Sequence, residues 1–359
     1  MTHPSALTTV PAACDGELNT TDPEVPTMTA PSNPVTRAEA RDALEAAARA
    51  SLRAPSVFNT QPWRWRIAGD VMELSSDPER RLGVTDAEGR LLLLSCGGAL
   101  HHARVALAAA GWQPVVERMP DERRPDLLAR IRLTDRVAAD PGARELAAAI
   151  SRRRTDRRAF GDRAVPEETL TRLRQLVEAQ GAYLHVVPDD RVAELAVSVD
   201  EAADAEYFDP AYRTELTHWT HRPAWTGDGV PPATAVQPAL RRVPARNFLP
   251  DGSPGLLAGA DHDEGAVFVI LFGTADRPVD LLRGGEAMSA LLLGATAEGL
   301  ATAPISEAVE VAWPRHLLAR LLSGVGDPYL IVRLGYVESG EVLPATPRRP
   351  ADEVIRIEE

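Results

Sequence analysis

SCGGALHHARVALAAAGW (residues 95–112) and GGEAMSALLLGATAEGLAT (residues 284–302) decide how the rest of the chain is read. Each opens on small residues, continues as an Ala/Leu-rich helical run, and ends on a glycine before the chain re-enters a sheet. Small side chains on helices of this length let two backbones approach closely. The simplest architecture is an internal repeat, two lobes packed about a central helix pair. Alanine-rich sequence also yields such likeness by chance, so the helices alone leave the repeat open.

Working outward, VTRAEARDALEAAARAS predicts a helix capped by Thr36, with Glu39 as capping-box partner. Pro55 breaks it, and WRWRI with VMEL across Gly69-Asp70 reads as a β-hairpin. The apolar run from Leu91 to Gly111 is interrupted by His101, His102 and Arg104, so it reads as a buried helix rather than a membrane span. Strands follow at QPVVERM and LLARIRL. A second set is expected as a helix over ELAAAISRRRTDRRAF, a helix from Pro166 to Ala179, the strand AYLHVV and the helix DRVAELAVSVDEAADAEY. Residues 207–262 have weak periodicity and many Pro, Gly and Trp residues, the mark of a lid or binding loop. AVFVILFGT and PYLIVRLGY are strand candidates on either side of the second long helix.

The composition narrows the function. A net charge of −13 argues against nucleic-acid binding. All basic side chains other than histidine are arginine, which excludes a P-loop lysine, a Schiff-base lysine and PLP attachment. Cys14 and Cys96 form no CxxC pair or disulfide framework, and a reducing cytoplasm is expected. Residues 1–33 lack a signal-peptide pattern and are expected to be a disordered extension. There is no GxGxxG after a strand, no GxxxxGK[ST], no GxSxG and no HExxH; His218 and His221 have only Asp228 as a nearby carboxylate, so no metal is expected.

Two segments carry candidate chemistry. Arg152, Arg153, Arg154, Arg157 and Arg158 fall within seven residues, a density that requires anions. Either carboxylates elsewhere neutralise them or they form a phosphate site, to which the planar guanidinium fork is suited. In APSVFNTQPW, Ser56, Asn59 and Gln61 sit between the stiffening Pro55 and Pro62, with Trp63 as anchor. This is a rigid polar loop fit for the edge of a flat heterocycle, or a plain capped turn. Arg348 and Arg349, between two prolines, form a second basic pair.

APSVFNTQPW, SRRRTDRRAF, GEAMSALLLGATAEGLATAPISE and DPYLIVRLGY followed by TPRRP together resemble the FMN-dependent nitroreductase superfamily, and more narrowly its actinobacterial Acg-like branch of two fused halves. The resemblance spans about residues 36 to 355. It implies an α+β, nitroreductase-like fold: two degenerate copies in one chain, forming a pseudo-dimer around antiparallel-rich sheets and long central helices. The halves are expected at residues 34–143 and 144–359, the latter with the lid at 207–262. By residue-to-motif matching it implies FMN phosphate contacts from Arg153, Thr155 and Arg157 and from Arg348, with Arg349 beside it. Thr155 stands where the family has Ser. Pro55, Ser56, Asn59 and Gln61 match the loop, and Pro304, Ile305 and Ser306 match the stretch along the flavin edge. The first half lacks the arginine motif and the second lacks the loop, so one FMN is expected and the other pseudo-site should be filled or closed.

The resemblance further implies hydride transfer from NAD(P)H through flavin N5 to a nitroaromatic, quinone or related small aromatic acceptor, with no side-chain acid or base required. Arg157 is the expected donor at N1–O2 and the Ser306 backbone N–H the expected partner of N5. The alternative is a flavin-sequestering, stress-related binding protein whose lid, with His218, Trp219, Arg222 and Trp225, folds over the flavin. No nucleic-acid or membrane partner is expected, and duplication makes a monomer plausible.

Overall fold

The computed structural model describes residues 36–250, 252–259, 261–337 and 343–358. The expected N-terminal extension, with Cys14, lies outside them. Val35–Glu359 is one compact unit.

Helix α1 (Arg37–Ser51) begins at the expected capping box: the Thr36 side chain accepts from the Glu39 N–H, and the Glu39 carboxylate accepts from the Thr36 N–H. Strands β1 (Trp63–Ala68) and β2 (Val71–Ser76) form the hairpin, turning at Gly69 with φ +64°. Helix α2 (Arg90–Ala109) leads to β3 (Trp112–Arg118) and β4 (Leu127–Arg136). Then come α3 (Pro141–Arg152), α4 (Glu167–Glu178), β5 (Tyr183–Val186), α5 (Val192–Phe208) and α6 (Pro210–Thr220). The chain continues through β6 (Val267–Gly273), α7 (Pro278–Ala297), β7 (Ala301–Ile305), and the short α8 (Glu307–Glu310). It ends with α9 (Ala312–Leu321), β8 (Asp327–Gly335), the single turn α10 (Ala351–Val354) and β9 (Ile355–Glu358).

Two sheets result, ordered β3-β4-β2-β1-β9 and β5-β6-β8-β7. Every pairing is antiparallel except β1 with β9. The fold is thus α+β, built of two sheets with a long helix on each. Trp63, Trp65, Ile67, Met72 and Leu74 fill the core under the first sheet, and Phe268, Ile270, Leu271, Ile331 and Val332 that under the second.

The two long helices cross where both carry glycine. A Cβ at Gly97 would lie 2.0 Å from the Leu282 carbonyl oxygen and 2.8 Å from the Gly285 Cα. A Cβ at Gly285 would lie 2.1 Å from the Leu94 carbonyl oxygen and 2.8 Å from the Gly97 Cα. This reciprocity equates Gly97 with Gly285 and Leu94 with Leu282, and marks a local twofold relation between α2 and α7. The helices also end alike, at Gly111 (φ +78°) and Gly299 (φ +79°). Each sends leucines across the crossing: Leu282 joins the first core, while Leu91 and Leu94 join the second. Helix α2 has the length and apolarity of a membrane span, but most of it is buried inside this unit.

Two expectations change. The helix expected through Phe160 ends at Arg152, because the backbone there pairs with β7 instead: Thr155 bridges Thr302, and the Asp156 N–H donates to the Thr302 carbonyl at 2.9 Å. The weakly periodic segment contains α6, started by Asp209, whose carboxylate accepts from the Ala211 N–H, with Pro210 in the first turn. Near the end of the described residues β9 adds to the first sheet beside β1.

Alanine at Gly285 should destabilise the fold by about 3 kcal/mol, because backbone atoms face the new methyl from both sides. Alanine at Gly299 meets nothing within 4 Å and should cost only the left-handed conformation, about 1 kcal/mol. Urea unfolding of the two variants checks the difference.

Candidate functional site

A cavity opens where α2, the loop after α1, β7 and a segment of the 207–262 region meet. It is lined by Pro55, Ser56, Val57 and Phe58, by Leu91, Leu94 and Ser95, by Thr155 and Arg157, by Met288, and by Ala303 through Glu307. A smaller polar cavity adjoins it, lined by Asn59, Arg153, Thr346, Arg348 and Gly229, and shares Pro55, Ser56, Phe58, Thr155 and Arg157 with the first. Ten of the twelve residues singled out in the sequence therefore border one continuous region. Gln61 and Arg349 line neither cavity.

The loop after α1 is held in an unusual conformation. Phe58, Asn59 and Gln61 have φ of 47°, 55° and 50°, left-handed values that non-glycine residues adopt at an energetic cost. The surroundings impose it. The Gln61 N–H donates to Ser56 Oγ at 2.9 Å, and Gln61 Nε2 donates to the Gly227 carbonyl at 2.8 Å. Gln61 Oε1 accepts from the Arg349 N–H at 3.0 Å. Asn59 Nδ2 donates to the carbonyls of Gly229 and Pro347, both at 3.1 Å, while its Oδ1 accepts from Arg348 Nη1 at 3.1 Å. Asn59 and Gln61 thus lash three separate stretches of chain together, which leaves Pro55 through Phe58 as the loop's share of the main cavity.

The arginine run divides by role. Arg158 closes on Asp156, its Nη2 donating at 2.7 Å, and Arg154 donates to the carbonyls of Ser151 and Arg153. Arg153, 5% exposed, is different: its Nε and Nη1 have no partner. Arg157 donates to the Thr234 carbonyl at 3.1 Å and lies over the Phe248 ring at 4.5 Å. Arg348 reaches the polar cavity from the far end of the chain, and its Nε is also unpartnered. Among the described residues none of these three forms an ion pair with a carboxylate. Burial, reinforced by Arg154 and Arg157, lowers Arg153 to about 10. Burial with Arg153, Arg53 and Arg154 nearby lowers Arg348 to about 9. Burial also lowers Arg157 to about 10, against the opposing pull of Glu307. Three guanidiniums crowd a polar pocket without counter-charge, an arrangement that suits a multiply charged oxyanion.

Within the 207–262 segment the residues at the cavity are not the ones expected. Trp219 is buried with Phe58, Leu82 and Tyr212 in a separate cluster, Trp225 is 81% exposed, and Arg222 pairs with Asp228. Neither they nor His218 line the main cavity; Val243 through Arg246 and Phe248 do. Arg246 anchors this cover. Its Nε lies 3.2 Å from Glu307, and its Nη2 lies 2.7 Å from Glu310 and 3.4 Å from Glu206. Its guanidinium sits 5.0 Å from the Phe58 ring centre. Burial outweighs Arg246 and, with the neighbouring Glu310, pushes Glu206 up to about 9. Sequence reasoning missed Arg246, Phe248 and Glu307. Only Glu307 had a signal, its position directly after Ser306.

The position related to the main cavity by the helix crossing carries charged side chains. The glycine reciprocity places Glu286 at the position of Gly98 and Arg118 at that of Ser306. Glu286 is wholly buried and bonds Arg118 Nε at 2.6 Å and Arg104 Nη1 at 2.6 Å. Where one half has Gly98 and Ser306, the other has this ion cluster, and Arg104 and Arg118 also border a separate cavity with His101, Pro114 and Val116. Between the halves, His101 Nδ1 lies 2.8 Å from Ser289 Oγ, which itself lies 2.9 Å from His102 Nδ1. Burial, with Arg153 adding to it, lowers His102 to about 3, so this pair is a neutral part of the helix interface.

A protein named "Putative NAD(P)H nitroreductase Rv3131" from Mycobacterium tuberculosis is 39% identical over 318 residues, covering 85% of this chain and 88% of the relative. The chain belongs to the nitroreductase family, in its Acg-like branch. From the same organism, "Putative NAD(P)H nitroreductase acg" is 37% identical over 319 residues, covering 88% of this chain and 96% of its own. "Uncharacterized protein Rv3127" is 34% identical over 311 residues, covering 85% and 90%. No family model matches this Acg-like chain. The solved FMN-dependent nitroreductase NfnB of Mycobacterium smegmatis, in complex with NADPH, matches 60% of the chain and 99% of its own at 18% identity and a TM-score of 0.38; membership rests on the sequence relatives.

Two outcomes follow for the Acg-like site. Arg153→Met should leave the ligand-free protein as stable as the parent or more so, since it removes an unpaired buried cation, yet weaken phosphate-ester binding by about 10-fold or more. Thermal melts with and without inorganic phosphate or FMN read both. Glu206 holds its proton more tightly folded than unfolded, so its contribution to stability is complete below 4.5 and fades as pH rises through about 9. Glu206→Gln should flatten the fall in unfolding free energy over that window.

Proposed function

We propose that this protein is an FMN-dependent oxidoreductase that takes hydride from NAD(P)H and delivers it to a quinone, nitroaromatic or related planar acceptor. The observation that carries the reading is a trio of arginines that lack a carboxylate partner among the described residues, beside an apolar slot. Arg153 Nε and Nη1 and Arg348 Nε are buried N–H donors with no acceptor, and a phosphate monoester would satisfy them. The adjoining slot, with Leu91, Leu94 and Met288 on one side and Pro304 to Ser306 on another, has the composition that a flat heterocycle selects. These residues fit FMN.

Bound FMN would supply reversible hydride transfer. The protein's part is placement and charge. Arg153, Arg157 and Arg348 would hold the phosphate end. Arg157, reaching both cavities, would favour negative charge on the neighbouring edge of the ring. The loop at Pro55 and Ser56 would fix the ring's direction, and Met288 with Phe248 would exclude water. A single site per chain is the expected stoichiometry, because the Glu286–Arg118–Arg104 cluster fills the related position. The α2–α7 crossing already supplies an interface between halves, so we read the protein as a monomer, with the cytoplasm, where NAD(P)H is available, as its setting.

A second reading has one observation in its favour. Phe248 lines the cavity and is pinned under Arg157, so the cover can act as a plug and the protein as a flavin-sequestering factor. The visible spectrum of FMN-reconstituted protein separates the two. Anaerobic bleaching by NADPH or NADH, reversed by a quinone, is the expected result. A band that resists both nicotinamides while dithionite bleaches it would reject the reductase and support the plug.

A further inference from the structure

The wall between the main cavity and a second, outward chamber contains ionisable groups that flavin binding leaves unused. The chamber is lined by Glu206, Tyr212, Arg213 and Pro244, and Arg246 and Glu307 face both spaces. Glu206 comes from α5, Arg246 from the cover, and Glu307 and Glu310 from α8. Their side chains are only 2% to 8% exposed.

Three carboxylates thus meet one guanidinium, all four side chains nearly buried. Other charged or titratable groups facing them are Arg157 on the cavity side, Asp86 at the start of α2, and the Tyr212 phenol. Asp86 adds to the excess of negative charge that Arg157 only partly offsets. Like charges this close cannot all ionise, and the cluster keeps a proton at neutral pH. Three buried polar atoms within it have no partner: Arg246 Nη1, Glu310 Oε1 and the Tyr212 hydroxyl. Each is a buried polar group with capacity for one more hydrogen bond.

We propose that this cluster is the proton store of the site, with Glu307 as the catalytic residue that protonates the acceptor and Glu206 as the member reloaded from the outer chamber. The inference rests on the reductase reading. Hydride brings two electrons and one proton to a quinone and leaves the quinol monoanion. A carboxyl O–H in the cluster then breaks, its proton completes the quinol, and the resulting carboxylate is reprotonated by water entering the chamber. No oxidant or reductant beyond the nicotinamide and the quinone is needed.

The test separates proton delivery from electron delivery. FMN-loaded protein, reduced with dithionite, is mixed anaerobically with a benzoquinone or with ferricyanide, which takes single electrons and needs no proton. Glu307→Gln should slow reoxidation by quinone about 100-fold, within the range of general acid catalysis, and leave the ferricyanide rate unchanged. Glu307→Asp should recover part of the quinone rate. Infrared spectra at neutral pH, with or without FMN, should show a protonated carboxyl band in the parent that Glu206→Gln removes. Equal slowing with both oxidants, an unaltered quinone rate, or absence of the band in the parent would each overturn the proposal. If Glu307→Gln does not fold, Glu206→Gln carries the same two-oxidant comparison in repeated turnover. Bleaching by NADPH is scored separately: its failure strikes the reductase reading, while the dithionite-initiated rates still decide the proton store.

Discussion

The van der Waals contact between Gly97 and Gly285 sets the distance at which the two halves of this protein meet, and everything near the candidate site inherits that distance. With any side chain at either position α2 and α7 would stand apart, and Leu91, Leu94 and Leu282 would no longer reach the opposite cores. The main cavity is bordered by residues of both helices, and the loop that edges it belongs to one half while the arginines belong to the other. Packing energy and binding geometry therefore rest on the same crossing.

From that shared frame the halves diverge by chemistry rather than by fold. In one, Gly98 and Ser306 leave space; in the other, Glu286 and Arg118 occupy the matching positions and neutralise each other. Buried pairs of this kind contribute little net stability, but losing one partner is costly. On the open side the charges are arranged in the opposite way, with Arg153, Arg157 and Arg348 lacking carboxylate partners among the described residues.

Much of this was legible in the sequence because it depends on short-range rules. The Thr36–Glu39 capping box, the Gly69 turn and the two glycine-rich helices are local signals, and each produced its element. Ten of the twelve marked residues border the two adjoining cavities for a similar reason: their motifs are compact, and only their meeting is long-range. What stayed hidden depends on distant partners. The departure of Arg153 from the helix is caused by Thr302, and the left-handed conformations of Phe58 and Asn59 are imposed by the cover and by the residues around Arg348. Arg246 lies in a stretch without periodicity, and nothing near it in the chain announces that Glu206, Glu307 and Glu310 await it. The expectation that tryptophans would form the cover failed because aromatic content reports burial somewhere, not at a given place; Trp219 found its own core and Trp225 found solvent.

The parallel pairing of β9 with β1 joins Trp65 to Ile355 and Ile67 to Ile357, and this bears on how the chain is made. A ribosome delivers β1 long before its edge partner exists, so the first sheet spends most of synthesis with an unprotected margin. Closing it requires one of the longest loops available to the chain, a contact of high sequence separation that forms late and slowly. The final strand acts as a clasp: the half translated first is the half completed last.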